Sequence, residues 1–153
     1  MNLFGVMDIS GSALEAERMR AEVVSANMAN ANTTRTENGK PYQRQHVVFQ
    51  SSAVGQPQDF ASTLLSASAL PGQTAEVGDG VRVSAVISDT AAPLQRYDPG
   101  HPDADAKGFV TYPNINPLTE MVDLMGAQRA YGMNASAVTA AKSMITSTLD
   151  LLK

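Results

Sequence analysis

Apolar and small residues recur at alternating three- and four-residue steps near both ends of the chain, and at two-residue steps between them. At the N-terminal end the steps pick out Ile9, Ser12, Ala16, Met19, Val23, Ala26 and Asn30. Glu15, Glu17, Arg18, Arg20 and Glu22 fall off that series. This heptad-like pattern predicts a helix from Met1 to about Ala31, with a seam of small residues that permits close backbone approach. Ser10 or Ser12 is the candidate N-cap, with Glu15 as a capping-box partner for Ser12. The stretch NANTTRTENGKP then stops the helix with Asn, Thr, Gly and Pro.

The C-terminal pattern is longer. Leu124, Tyr131, Val138, Ile145 and Leu152 follow one another at an unbroken spacing of seven. The companion series Met121, Gln128, Ala135, Lys142 and Leu149 is only partly apolar. A helix over Leu118–Leu152 would run roughly 50 Å. Asn116 is the candidate N-cap, and Pro117 suits the first helical position, where its missing N–H costs nothing. Gly126 and Gly132 weaken this helix, which assigns them to close approach by a neighbouring backbone. The C-terminal helix is expected to outlast its N-terminal partner by about a dozen residues, or roughly 18 Å. That leaves Ile145, Leu149, Leu151 and Leu152 as excess apolar surface, of the kind that marks interaction sites.

Between the helices the two-residue alternation predicts strands at Gln43–Gln50 and Val81–Ser88, the second with Val81, Val83, Ala85 and Ile87 on one face. Shorter candidates, Leu94–Tyr97 and Phe109–Tyr112, flank the turn-rich DPGHPDADAKG and form a hairpin with a long loop. Ser51–Gly80 is rich in Ser, Ala, Gly and Gln, and reads as a mobile loop or insertion with a short helical turn around Phe60–Leu70. The predicted class is α+β. Residues 1–35 and 114–153 make a discontinuous coiled-coil-like domain, and 36–113 a small β-rich domain inserted between its halves.

Composition narrows the chemistry. The 153 residues include no Cys and no Trp, which excludes disulfides, thiolate metal sites and cysteine nucleophiles. Net charge is −4 without a basic cluster, which argues against nucleic acid as a partner. No apolar run reaches the length of a membrane span, and the N-terminus lacks the basic region of a cleaved secretory signal. The eight Met residues suit adaptable interfaces.

Catalytic signals are sparse. His101, Asp103 and Asp105, with Asp98 before them, have a spacing that a hard metal ion accepts. Pro99, Gly100, Pro102 and Gly108 make the same stretch a surface turn, and that reading is preferred, with no metal ligand and no cofactor assigned. His46 falls on a solvated strand face. Neither a nucleophile elbow nor a phosphate-binding loop is present, so the chain is expected not to be an enzyme.

Two stretches resemble the bacterial flagellar rod and hook proteins. The N-terminal one carries Ser25, Asn27, Ala29, Asn30 and Thr33 at the helix end, followed by Tyr42. The C-terminal one carries Asn116, Glu120, Met121, Val122, Arg129, Tyr131 and Asn134. YDPGHPDADAKGFVTYPNIN and the chain length are similar to the short proximal-rod member, and Ser51–Gly80 reads as longer than that member needs. The resemblance implies a torque-transmitting subunit of the basal-body rod, exported by the type III apparatus without a cleaved signal. Its terminal helices would line the inner layer of an axial tube, with the β region outward. Implied partners are other copies of the chain, the proximal and distal rod subunits and the export-gate adaptor. Residues expected at the assembly interface are Ile9, Ala16, Met19, Val23, Ala26, Asn27, Asn30, Met121, Leu124, Tyr131, Val138, Ile145, Leu149 and Leu152. Other readings are a different rod-family member, a non-flagellar coiled-coil adaptor and, last, a metal-dependent enzyme.

Overall fold

The computed structural model describes residues 3–52 and 80–150. The element order is α1 (Leu3–Ala29), β1 (Gln45–Ser51), β2 (Val81–Ser88), β3 (Leu94–Tyr97), β4 (Phe109–Tyr112) and α2 (Pro117–Asp150). The class is α+β, as predicted. The body of the segment read as a loop with a helical turn, 53–79, lies outside the described residues, as do Leu151 and Leu152.

The helix α1 begins earlier than the caps suggested. It is already helical at Leu3, so Ser10 and Ser12 are interior residues rather than N-caps, and Ser10 is buried. Its end follows from asparagine chemistry. The Asn30 side-chain amide donates to the Ala26 carbonyl at 2.9 Å, beside the Asn30 backbone N–H at 3.0 Å, so the last turn is held by a doubled bond. Thr33 Oγ1 donates in turn to Asn30 Oδ1. At the start of α2 the expected cap forms: Leu118 N–H donates to Asn116 Oδ1 at 3.0 Å, with Pro117 in the first turn.

The two helices pack antiparallel. Asn27 near the end of α1 meets Glu120 near the start of α2, and further along Glu17 and Ala21 share a cleft with Ala127 and Tyr131. Their seam is built from small side chains, with Ala16, Ala127 and Ala141 almost fully buried. A buried methyl contributes only about 0.8 kcal/mol, so many close contacts replace a few large ones. α2 has 34 residues against 27 in α1, an excess of about 10 Å rather than the dozen residues expected.

The β region is two separate two-stranded ribbons. β1 pairs antiparallel with β2, with a bulge between Val48 and Phe49, and β3 pairs antiparallel with β4 as the predicted hairpin. The first ribbon leans on α1. Ser12 Oγ donates to Ile9 O and accepts from Val81 N–H at 3.1 Å. Gly80, at φ +126°, sits against that serine, and a Cβ there would come within 2.2 Å of its hydroxyl. The second ribbon carries a Tyr97–Phe109 edge-to-face pair and Arg96 over the Tyr112 ring. Beneath this ribbon Val110 is fully buried, with Ala31 and Ile115 nearly so.

Candidate functional site

A buried polar knot joins α1, β1 and α2. Asn27 is 1% exposed, and its amide is fully used. Nδ2 donates to Gln45 O at 2.8 Å and to Glu120 Oε2 at 3.1 Å. Oδ1 accepts from Gln45 N–H at 2.9 Å and from the Tyr42 hydroxyl at 3.2 Å. Glu120 is wholly buried in the first turn of α2, where the positive end of the helix dipole favours a carboxylate. Its other oxygen, Oε1, receives Arg44 Nε and Nη2, both at 2.6 Å. Each charge therefore has its counter-ion and each polar atom a partner, the condition under which such a group survives burial.

Weaker links surround the knot. Asp123 stands 3.6 Å from Arg20 and 3.7 Å from Arg44. His46 Nε2 lies 3.3 Å from Arg44 Nη1 and 3.4 Å from Asp89 Oδ2. The Ala91 N–H, and then His46, hold the Asp89 carboxyl below the usual aspartate range. Burial, and secondarily the Glu120 charge, push the Tyr42 hydroxyl above the ordinary tyrosine value of 10.0. Asn27, Arg44, His46, Glu120 and Asp123 border a cleft of about 330 Å³, but Asn27, Arg44 and Glu120 spend their polar atoms on one another. They clamp three segments together.

The His101–Asp103–Asp105 stretch is a turn whose acceptors are occupied. Asp103 N–H donates to His101 Nδ1, and Asp105 Oδ1 accepts from Lys107 and Phe109 N–H. Asp103 also accepts from Thr34 Oγ1 at 2.8 Å, fixing the hairpin loop to the segment after α1. Among the described residues no cluster of three or more His, Asp or Glu has metal-binding geometry.

The structure divides the sequence-predicted interface residues between the inside and the outside of the chain. Ala16, Val23 and Asn27 are buried, and Ile9, Ala26, Asn30, Leu124, Val138 and Ile145 half-buried. Met19, Met121, Tyr131 and Leu149 are exposed. Within the α1 series Ile9 and Ser12 meet Gly80 and Val81, so this part of it serves the first ribbon. α2 instead meets the flank that carries Glu17, Arg20 and Ala21. Among the described residues nothing outside their own helix backbone comes within 4 Å of where a Cβ would stand on Gly126 or Gly132. Sequence reasoning missed the knot partners Arg44 and Gln45, and reached Glu120 only as a position of the resembling C-terminal stretch. The available signal was position: continuing the stripe Ala127, Asn134, Ala141, small or neutral at each step of seven, one step back places a charged Glu120 on it. A charge on an apolar stripe needs a partner.

The residues with defined work here are those of the two resembling stretches. Asn27, Asn30, Thr33 and Tyr42 build one side of the clamp and the end of α1; Asn116 and Glu120 build the other. Comparison with known proteins points the same way. Residues 7–35 match the family described as flagella basal body rod protein, and 106–151 the flagellar basal body rod FlgEFG protein C-terminal family. The flagellar basal-body rod protein FlgC of Bacillus subtilis is 41% identical, covering 100% of both chains. That of Borreliella burgdorferi is 37% identical over 100% of this chain and 99% of its own. That of Salmonella typhimurium is 38% identical over 99% and 98% respectively. With the clamp residues at both ends of the chain and likeness along its whole length, the chain belongs to the flagellar basal-body rod protein FlgC family.

Proposed function

We propose that the chain is a structural, non-enzymatic subunit of the flagellar basal-body rod that assembles through the outward sides of its terminal helices. The observation that carries this is the back of α2. Leu118, Val122, Met125 and Met133 lie there, from 42% to 69% exposed. Arg129 is the only charged residue among them. A strip of large apolar side chains held open to water marks a protein interface. The same side carries Gly132, where open space would let a second backbone approach.

In this reading the helical ends, 1–35 and 114–153, act as one discontinuous unit and 36–113 as an inserted β-rich unit. The clamp at Asn27 and Glu120 holds the two in fixed relation, which suits a part that transmits torque. The exposed Met19, Met121, Tyr131 and Leu149 extend the assembly surface beyond the back of α2, with the half-buried Leu124, Val138 and Ile145 at its margin. Ala16, Val23 and Asn27 support it from within. Other rod subunits, further copies of the chain and the export-gate adaptor are the proposed partners. Export without a cleaved signal is the proposed route.

The test is a Val122→Asp variant expressed in place of the natural chain. Secretion is expected to continue, while purified basal bodies lack the rod and the cells do not swim. Normal motility would overturn the interface. A chain found only in the cytosol, bound to another helical protein, would favour the adaptor reading.

A further inference from the structure

The loop between β3 and β4 contains two turns fastened by side chains, and the two use different acceptors. In the first, the Asp103 N–H donates to His101 Nδ1 at 3.1 Å. In the second, Asp105 Oδ1 accepts from the N–H groups of Lys107 and Phe109, both at 2.8 Å. Accepting from the N–H two residues on is ordinarily the work of Asn or Asp. An imidazole can do it only while neutral, because protonation turns Nδ1 into a donor. Histidine ordinarily changes charge between about pH 5 and 8, a range in which a carboxylate keeps its lone pairs.

The histidine turn is also the one that ties the loop to the helical part of the chain. Asp103, whose N–H the imidazole holds, accepts from Thr34 Oγ1 at 2.8 Å and stands 3.7 Å from Arg35 Nη1. The ring meets Tyr112 of β4 edge-on, with centroids 6.1 Å apart. The loop itself carries Asp98, Asp105 and Lys107 besides Asp103. Arg96 of β3 lies over the Tyr112 ring and 3.8 Å from Asp98, and Arg35 and Lys40 share a cleft with Asp103. Cations and carboxylates thus surround the turn together, and the carboxylates offer an imidazolium new acceptors as it gives up its old donor.

We infer that His101 is a proton-operated fastening: on acidification its turn opens and the Thr34–Asp103 tie loosens, while the Asp105 turn stays shut. Val110 and Ile115, buried beneath the ribbon, keep the body of the hairpin in place. The release is therefore confined to the loop and its attachment to the segment after α1. The device works within one chain and does not depend on the rod reading.

The test is amide hydrogen exchange on the isotope-labelled full chain, read residue by residue from about pH 7.5 to about 5 and corrected for the intrinsic exchange rate. Protection of the Asp103 N–H is expected to fall about fivefold, the loss of one ordinary hydrogen bond, while Lys107 and Phe109 change by less than about twofold. His101→Asn keeps an acceptor that takes up no proton in this range, so its Asp103 N–H should stay protected at both ends of it. His101→Ala should leave that N–H unprotected at both. Protection in the parent that is unchanged on acidification would overturn the device, and so would an Asp103 amide already unprotected near neutral pH. An acid loss that persists in His101→Asn would mean that another group titrates, and would overturn it too.

Discussion

The two ends of the helix pair are held by different physics. At one end Asn27, Tyr42, Arg44, Gln45 and Glu120 form a network in which geometry is dictated by hydrogen bonds, and Glu120 is fully buried. At the other end the contact is made by small side chains around Ala141, while Met144 and Leu149 stand more than half exposed. Directional bonds specify a single arrangement. Small apolar contacts specify mainly proximity, and they leave the outer side of α2 available. The chain thus has a fixed joint at the base of its helices and an unfinished surface along their length.

Breaking the joint is expected to have the largest effect. Glu120→Ala leaves Arg44 with only its longer contact to Asp123 and one Asn27 N–H without an acceptor, and should cost about 3–5 kcal/mol in urea denaturation. Replacing both charges, as Glu120→Leu with Arg44→Met, should recover much of that loss. If the single variant is as stable as the parent, the joint is not what holds this end. Gly80→Ala comes next. Its methyl would displace the Ser12 hydroxyl from Ile9 and Val81, at about 1–3 kcal/mol, and adding Ser12→Ala should return part of it.

A smaller effect sharpens the electrostatics of the joint. Tyr42→Phe removes a hydrogen bond to Asn27 and should cost about 1 kcal/mol near neutral pH. The Tyr42 hydroxyl titrates higher in the folded chain than in the unfolded one. Its contribution is therefore complete below the ordinary value of 10.0 and is lost as pH rises through the folded value. Thermal melts between pH 9 and about 11.5 should show a steeper alkaline loss in the parent than in Tyr42→Phe. The smallest effect on folding belongs to the open end. Leu149→Ser should change the stability of the isolated chain by less than about 0.5 kcal/mol while lowering its incorporation into rods. A large loss of intrinsic stability would mean that Leu149 is covered within its own chain.

The elements themselves were readable because each has a local cause. β2, β3 and β4 coincide with their predicted spans, since alternation and flanking turn residues act over a few positions. Asn116 capped its helix as expected. What could not be read was which flank of α1 faces which neighbour. Ala, Ser and small polar residues occur on both flanks, and periodicity identifies a buried side without naming what buries it. The polar joint was equally opaque, because Asn27, Arg44 and Glu120 share no spacing rule. They are neighbours only after the chain has folded back, and the sequence offers Asn27 as an assembly-interface residue without showing its partners within the chain.

The joint also sets an order of events. Asn27 and Glu120 are 93 residues apart, and Arg44 and Glu120 are 76 apart. Contacts so distant in sequence form late, because the loop must close before they stabilise anything. A chain delivered N-terminus first can wind α1 and pair Asn27 with the Gln45 backbone, yet the carboxylate that completes the set has still to arrive. The final lock is therefore supplied by the last part of the chain, and a copy truncated before residue 117 would leave its first helix wound but unfastened.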